Sequence, residues 1–328
     1  MVVTRTPLRV SFAGGGTDLA AFYERDEYGA VLSTAINKYV YVTVKRHGEV
    51  FDERIRLNYS KSEQVQRIDE IENNIARACL EYLEIEPPIY VSTVADLPAS
   101  TGLGGSSSFA VGLLNALYAY RGERVSAGQL AEQASFIEIE VLKQPIGKQD
   151  QYAAAFGGLN FFCFKPGGGV TVEPHRISNG LLEELFDHLL MFWTGHQRDS
   201  GSVLKEQKAK TAQKMESLSK MREHARQLQT LLANGCHDLQ GIGRILDESW
   251  RLKRGLASTI TTSQIDIWYQ RALEAGAVGG KLCGAGGGGF LLFVVPRESQ
   301  AAVRQALSGL REVRVAPEAQ GSQILFVE

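Results

Sequence analysis

The sequence is poor in the features that mark secreted, membrane-embedded and metal-cluster proteins. Its four cysteines, Cys79, Cys163, Cys236 and Cys283, form no CxxC pair and no metal-like spacing. Buried free thiols in a reducing compartment are therefore predicted. No apolar run approaches the roughly 20 residues of a membrane span. The first residues lack the basic segment and apolar run of a signal peptide.

The net charge is also small. The formal net charge is −2 over 328 residues, which gives no global basic field to hold a nucleic acid or an anionic membrane. We therefore expect a cytoplasmic protein whose partners are small molecules, with neither nucleic acid nor membrane among them, and we leave a homodimer open. The length predicts about two domains, each large enough for its own core.

The stretch from Asp96 to Ala110 carries the strongest local signal of chemistry. Three glycines and three serines fall within 102–108, between an apolar run typical of a strand and an apolar periodicity typical of a helix. Glycine lets a backbone approach a ligand closely, and a helix start offers unpaired N–H groups. The pattern indicates an anion site suited to a polyphosphate. A serine-rich N-cap that joins strand to helix remains the alternative.

Alternating β-branched runs predict strands, and apolar residues spaced by three or four predict helices. The predicted strands are 2–12, 30–46, 54–59, 89–95, 159–164, 188–194, 311–316 and 323–327, with one more on each side of the glycine turn within 281–295. The predicted helices are 62–84, 126–143, 202–234, 238–256, 263–275 and 297–308, with one more after the loop at 102–108 and a short one within 145–158. Pro7 indicates an edge or a bend in the first strand. Ser126 has the form of a capping box. The interleaving indicates α+β layers.

Two further glycine-rich turns lie near the chain ends, at 13–19 and 284–289. In the first, Asp18 is either aimed at a ligand or the N-cap of a short helix. A Walker loop is excluded because Leu282 follows Gly280-Lys281. A dinucleotide fingerprint is excluded because a predicted strand follows 284–289 where a helix is required. The motifs of protein kinases are absent as well.

In order along the chain, these motifs resemble those of the GHMP small-molecule kinases. Residues 6–18 are similar to the N-terminal motif of that family, 98–108 to its nucleotide loop and 281–289 to its C-terminal motif. Each motif is weak alone, but three in the family's order span nearly the whole chain. The Phe-Ala-Gly-Gly-Gly-Thr-Asp form and the Pro-Ile-Gly-Lys-Gln-Asp-Gln segment at 145–151 most resemble the D-glycero-D-manno-heptose 7-phosphate 1-kinases.

The resemblance implies a two-domain α+β fold with the active site between the domains. Residues 1–185 would form an N-terminal domain like the second domain of ribosomal protein S5, and 186–328 a ferredoxin-like C-terminal domain. The resemblance also implies ATP and Mg²⁺ as cofactors. The reaction would transfer the γ-phosphate to the anomeric hydroxyl of D-glycero-D-manno-heptose 7-phosphate. The product would be the 1,7-bisphosphate, for nucleotide-activated heptose and surface-polysaccharide synthesis.

The resemblance further implies a role for each motif position. Asp150 matches the general base and Arg9 the cation beside it. Glu138 and Ser106 would hold Mg²⁺, and Glu140 would be solvated or paired. The nucleotide-binding positions are Pro98, Thr101, Gly102, Leu103, Gly104, Gly105, Ser106, Ser107 and Ser108. The acceptor-binding positions are Gly14, Gly15, Gly16, Thr17, Asp18, Lys148, Arg198, Gly286 and Gly287.

Departures from the family pattern raise specific questions. Gly105 stands where relatives usually have serine, so Ser107 is a second candidate for the metal. Gly15 and Gly16 stand where galactokinases have Glu and His, which removes polar contacts and opens space for a larger or differently oriented sugar. A phosphate on that sugar needs a cation. Arg198 is the first candidate, with Lys148 and Arg176 behind it, although each is also typical of a solvated surface charge.

Three readings of the function therefore stand beside one another. The first is the heptose 7-phosphate kinase. The second is a kinase for an unphosphorylated sugar such as fucose, arabinose, galactose or a uronic acid. The third is a sugar sensor without catalysis, against which the joint presence of Glu138, Asp150 and Arg9 argues, because a sensor needs no base. Asp150 as a helix N-cap is the alternative to its catalytic role.

Overall fold

Two β-sheets with helices packed on them organise the chain. The computed structural model describes residues 1–175, 180–197, 200–233 and 238–328. The strands are β1 Val2–Ala13, β2 Gly29–Arg46, β3 Ile55–Asn58, β4 Ser62–Val65, β5 Ile89–Ala95, β6 Leu159–Phe164, β7 Val170–Pro174, β8 Leu189–Trp193, β9 Gly279–Leu282, β10 Phe290–Val294, β11 Arg311–Glu312 and β12 Gln323–Val327. The helices are α1 Ala20–Tyr23, α2 Asn74–Tyr82, α3 Gly105–Tyr120, α4 Ala127–Ser135, α5 Gln149–Phe156, α6 Leu181–Asp187, α7 Ser200–Lys210, α8 Met215–Ala233, α9 Leu239–Arg254, α10 Ser263–Glu274 and α11 Gln300–Ala306.

The first sheet has the strand order β12-β1-β2-β5-β3-β4, and β6 and β7 extend it from β2. The long strand β2 pairs with β6 through 29–34 and with β5 through 40–46. Helix α3 packs on β1 and β2, and its apolar residues are buried almost all round. Strand β12 covers only residues 2–5 of β1, so Pro7 lies beyond it, beside a register shift. The edge or bend predicted from Pro7 is confirmed.

The second sheet is antiparallel, with the order β11-β8-β10-β9. Along the chain it runs strand, helices, strand, strand, helix, strand, and its fourth strand lies beside its first. This is the ferredoxin-like arrangement that the motifs implied. The two-domain α+β fold is confirmed, while a boundary near residue 185 stays a prediction.

The C-terminal segment returns to the first sheet. Strand β12 pairs with β1, the Ala316 carbonyl accepts a hydrogen bond from Asn37, and the Glu318 carbonyl accepts one from Gly158. The last stretch of the chain thus packs on strands made at its beginning.

Two predicted helices are interrupted. In place of a helix over 62–84, residues 62–65 form β4 against β3, and α2 begins only after Asn73, whose side chain caps it by accepting from the Ala76 N–H. The helix predicted over 202–234 breaks between α7 and α8. There the Thr211 hydroxyl bonds back to the Gln207 carbonyl at 3.0 Å, a contact that competes with the helix ladder and bends helices.

Within the described residues, no helix is long and apolar enough to span a membrane. Cys79 and Cys283 are buried free thiols, as predicted, whereas Cys163 is a free thiol that is only partly buried. Cys236 lies outside the described residues.

Candidate active site

The glycine- and serine-rich stretch forms the turn between β5 and α3. Gly104 is the N-cap of α3 and has a positive φ of 79°. In the first turn of the helix, Ser106 is exposed, whereas Ser107 and Ser108 are buried. The Ser108 hydroxyl donates to the Pro7 carbonyl at 2.8 Å, and its N–H donates to the Gly104 carbonyl at 2.9 Å. Both donors of Ser108 are therefore used inside the fold.

Replacing Gly104 and Gly105 separately tests this turn. We expect Gly104→Ala to lower the free energy of unfolding by about 1–2 kcal/mol, because L-residues disfavour left-handed backbone. Its Cβ would also lie 3.2 Å from Arg9 Cγ. Gly105→Ala is the matched control: its Cβ would meet Leu8 at 4.0 Å, so we expect no loss of stability. Denaturant unfolding measures both variants, and equal losses would contradict the strained geometry assigned to Gly104.

The glycine turn between β9 and β10 packs directly on this loop. A Cβ on Gly284 would lie 2.3 Å from Gly102 Cα, and one on Gly102 would lie 2.5 Å from the Cys283 carbonyl oxygen. Only glycine permits so close an approach of two backbones. The nucleotide-loop motif and the C-terminal motif therefore form one contact.

Arg9 and Asp150 form a doubly hydrogen-bonded ion pair beside the loop. Arg9 Nε donates to Asp150 Oδ1 at 2.8 Å and Nη2 to Oδ2 at 2.7 Å, while Nη1 donates to the Gly102 carbonyl at 2.8 Å. Arg9 comes from β1 and is buried. Asp150 lies in the first turn of α5, whose N-cap is Lys148. The N-cap alternative for Asp150 therefore does not describe this structure.

Glu138 lies on a π-helical turn, Phe136–Val141, that follows α4. The sequence predicted a regular helix to residue 143. In the wider turn, the Leu142 N–H donates to the Ile137 carbonyl, five residues earlier, at 2.9 Å. Such turns often occur at functional sites. Glu140 on the same turn is exposed and pairs with Lys143 at 3.4 Å, as expected for it.

The Glu138 carboxyl is fully buried and incompletely hydrogen-bonded. Gln151 Nε2 donates to its Oε2 at 2.6 Å, whereas Oε1 has no hydrogen-bond partner among the described residues. Burial raises the pKa of Glu138 to about 7, although the nearby hydroxyls of Ser107 and Ser106 act to lower it. The Glu138 carboxyl group thus lies beside the hydroxyls of Ser106 and Ser107, on the buried side of the loop.

Asp18 is buried in the N-terminal glycine turn. Its Oδ1 accepts from the Gly16 N–H at 2.9 Å and its Oδ2 from Gln149 Nε2 at 3.0 Å. Burial raises the pKa of Asp18, and the negative charge of Asp150 adds to that effect. Helix α1 is capped by Leu19 without a side-chain bond, so Asp18 does not act as its N-cap. Thr17 holds the turn through contacts of its hydroxyl with the carbonyls of Gly14 and Ala30.

Two cavities meet at the Arg9–Asp150 pair. The larger is a cleft of 860 Å³, and the smaller has a volume of 60 Å³. Arg9 and Asp150 line both. The loop residues lining the cleft are Pro98, Thr101, Gly102, Gly104, Gly105, Ser106 and Ser107, and an apolar part of its wall consists of Val40, Ile75, Leu97 and Phe109.

The smaller cavity contains two side chains that the motifs did not indicate, Gln207 of α7 and Lys253 of α9, together with Asp18 and Gln149. The Lys253 ammonium donates to the Gly284 carbonyl. Burial and the charge of Arg9 lower the pKa of Lys253 to about 8. A sequence signal existed for this lysine, since it continues the apolar stripe of α9 at helical spacing.

Several predicted positions lie away from the two cavities. Leu103 is buried, and its carbonyl accepts from the Arg9 N–H. A Cβ on Gly14 would lie 1.9 Å from the Ala30 carbonyl oxygen, so this glycine packs against the sheet. The Gly287 N–H donates to Ile260 at 2.7 Å.

Three further acceptor positions stay predictions. The Lys148 ammonium donates to the Gly168 carbonyl at 2.7 Å and pairs with Glu132 at 3.4 Å, and it lines neither cavity. Gly286 lines the larger cleft instead of the smaller cavity. Arg198, like Arg176, lies outside the described residues.

The space expected at Gly15 and Gly16 is only partly present. A Cβ on Gly15 would meet its nearest neighbour, the Gln149 side chain, at 3.8 Å, so this glycine leaves room in the smaller cavity. A Cβ on Gly16 would lie 2.4 Å from Gln207 Nε2. The amide of Gln207 fills the space at Gly16.

Comparison with known protein families matches the N-terminal and C-terminal parts of the chain separately. A family model described as the GHMP kinases N terminal domain matches residues 69–158, and one described as GHMP kinases C terminal matches 221–312. A D-glycero-alpha-D-manno-heptose 7-phosphate kinase from Campylobacter jejuni is 30% identical over 304 residues, covering 89% of this chain and 88% of its own. A galactokinase from Pyrococcus furiosus is 25% identical and covers 95% of this chain and 93% of its own.

A solved structure agrees in fold over the full length. The crystal structure of a D-glycero-D-manno-heptose 1-phosphate kinase from Bacteroides thetaiotaomicron matches with a TM-score of 0.81 and 26% identity, covering 100% of both chains. The family predicted from the motifs is thereby confirmed. The chain belongs to the GHMP kinase family and is an ATP-dependent sugar kinase.

Proposed function

We propose that this kinase transfers the γ-phosphate of ATP to the anomeric hydroxyl of D-glycero-D-manno-heptose 7-phosphate. The observation that carries the transfer is the Arg9–Asp150 pair, because it lines both cavities and so stands between a donor and an acceptor. The heptose is supported by the two relatives named for heptose phosphates. The 1,7-bisphosphate product would supply synthesis of nucleotide-activated heptose.

The 860 Å³ cleft is the proposed ATP site. The start of α3 presents N–H groups and a partial positive charge to one part of it, which suits the phosphates. The apolar wall, with Val40 and Phe109 among its residues, suits the flat face of the base. We place the phosphates at Gly102–Ser107 and omit Ser108, whose donors are already paired.

Glu138 and the loop serines fit a divalent cation. The unpartnered, buried Oε1 of Glu138 lies near two hydroxyls, and Mg²⁺ prefers such hard oxygen ligands while keeping several waters. Among the described residues, no group of three or more His, Cys, Asp and Glu side chains competes for a metal. We propose that Glu138 and Ser106 hold Mg²⁺, with Ser107 close to Glu138. The bound ion would neutralise charge on the phosphates.

Asp150 is the proposed general base. Each of its oxygens accepts one hydrogen bond from Arg9, and a carboxylate oxygen retains a second lone pair for an incoming proton. An anomeric hydroxyl is more acidic than an ordinary alcohol, so a carboxylate suffices as base. Arg9 uses three of its five N–H groups within the protein. The other two can donate to the transferred phosphoryl group.

A panel of acceptors tests the proposed substrate. The relatives' names differ in where the existing phosphate lies, on position 7 in one and on position 1 in the other. The panel therefore contains both heptose monophosphates, the free heptose, galactose, L-fucose and a uronic acid. We expect the highest kcat/KM with the 7-phosphate and an anomeric phosphate in the product, identified by ³¹P NMR. Equal efficiency with the free heptose would remove the requirement for a substrate phosphate. Preference for another sugar would overturn the assignment.

A further inference from the structure

Gln207 and Lys253 present buried donors to the smaller cavity. Gln207 is 2% exposed, and its Nε2 has no hydrogen-bond partner among the described residues. Lys253 is 8% exposed, and an ammonium has three N–H groups, of which one reaches the Gly284 carbonyl. A buried donor without an acceptor is costly, so a bound ligand is the natural source of the missing acceptor.

The same cavity also presents acceptors. Asp18 contributes its carboxylate, and Gln149 Oε1 is a second buried atom without a hydrogen-bond partner in the described part of the chain. A phosphate group only accepts hydrogen bonds at neutral pH and would be repelled by Asp18. A hydroxyl group both donates and accepts. The donor and acceptor pattern therefore matches hydroxyl groups.

We propose that Gln207 and Lys253 are specificity-determining residues that donate hydrogen bonds to hydroxyl groups of the acceptor sugar. Asp18 and Gln149 accept hydrogen bonds from the same hydroxyl groups. The inference rests on the proposed acceptor site and adds that the hydroxyl-bearing edge of the sugar, rather than its phosphate, enters this cavity. The volume of 60 Å³ has room for such an edge, since about 10–15 Å³ on this measure holds one water.

The test replaces each donor by a side chain of similar length without one. In Gln207→Met and Lys253→Met we expect the KM of the acceptor to rise about tenfold, which corresponds to one hydrogen bond of ordinary strength. The KM of ATP should stay within twofold of the parent. Gln207→Met should also raise the melting temperature without ligand, because an unpaired buried amide is replaced by an apolar group. If Gln207 only stabilised the fold, Gln207→Met would lower the melting temperature.

Lys281→Met is the matched control. Lys281 is also buried, but its ammonium donates to the Ser11 and Phe12 carbonyls at 2.6 and 3.3 Å, and it lines neither cavity. We expect it to change the melting temperature without a selective rise in acceptor KM. If Lys253→Met does not fold, Lys253→Leu, which also lacks a donor, replaces it, and the same rise in acceptor KM is expected.

The measurements use whichever panel sugar has the highest kcat/KM. A preferred sugar other than the heptose 7-phosphate would overturn the proposed substrate, while a selective acceptor KM effect with that sugar would still support the two donors. Unchanged acceptor KM in folded Gln207 and Lys253 variants would overturn the inference. Equal rises in the acceptor KM and the ATP KM would also overturn it.

Discussion

We expect Asp150→Asn to lower kcat by about two to four orders of magnitude, the usual contribution of a positioned general base. The asparagine amide cannot take the proton of the acceptor hydroxyl. It also offers only one acceptor oxygen to the two Arg9 donors that Asp150 now satisfies. Steady-state rates at saturating ATP and acceptor measure the loss, with far-UV circular dichroism to confirm that the variant folds.

Asp26→Asn is the matched control for that measurement. Asp26 also pairs with an arginine, since Arg222 Nη1 donates to its Oδ1 at 2.8 Å, and it is likewise mostly shielded from solvent. It lines neither cavity, so we expect some loss of stability and an unchanged kcat. A kcat of Asp150→Asn within a few-fold of the parent would end its assignment as the base.

The second large effect is expected at Glu138. Glu138→Gln removes the carboxylate proposed to hold Mg²⁺, so the Mg²⁺ concentration for half-maximal activity should rise at least tenfold, the scale on which metal sites respond to altered partners. A titration with Mg²⁺ at fixed ATP measures it. Glu140→Gln, two residues away on the same turn, exchanges an exposed carboxylate and should behave as the parent.

The pH dependence of the same titration gives an independent check. The pKa of Glu138 is raised from 4.5 to about 7, so a proton competes with the cation below that pH. The Mg²⁺ requirement of the parent should therefore increase more steeply as the pH falls through about 7 than that of Glu138→Gln, in which only the protonation of ATP remains. By linkage, the Glu138 contribution to stability without metal is full below pH 4.5 and is lost as the pH rises through about 7. A parent requirement independent of pH would contradict the metal role.

Sequence motifs located the parts of the site that depend on backbone geometry. Glycines at 102, 104 and 284 are required where two turns touch or where φ is positive, and such positions leave a direct mark on the sequence. Arg9 and Asp150 stand at fixed places within motifs, and the structure joins them. Local patterns also predicted most strands and helices, because burial sets their periodicity.

The features that the sequence did not predict depend on contacts between distant segments of the chain. The apolar stripe of 62–84 fitted a helix, although its first residues gain more by pairing β4 with β3. The π-helical turn at Glu138 has the same composition as an ordinary helix. Gln207 and Lys253 look like polar interruptions of amphipathic helices until the fold brings them to Asp18. Lys148 sits within a motif, yet its side chain turns to Gly168 and Glu132.

The pairing of β12 with β1 affects how the chain folds during synthesis. Residues 2–5 of β1 receive their outer partner from 323–327, which the ribosome makes after the whole second sheet. Until then, the nascent N-terminal half carries an open strand edge that can pair with other chains. Closing so distant a pair is also slow, because loop entropy opposes it. The outer edge of β1 is therefore a site where the nascent chain can aggregate until β12 has been made.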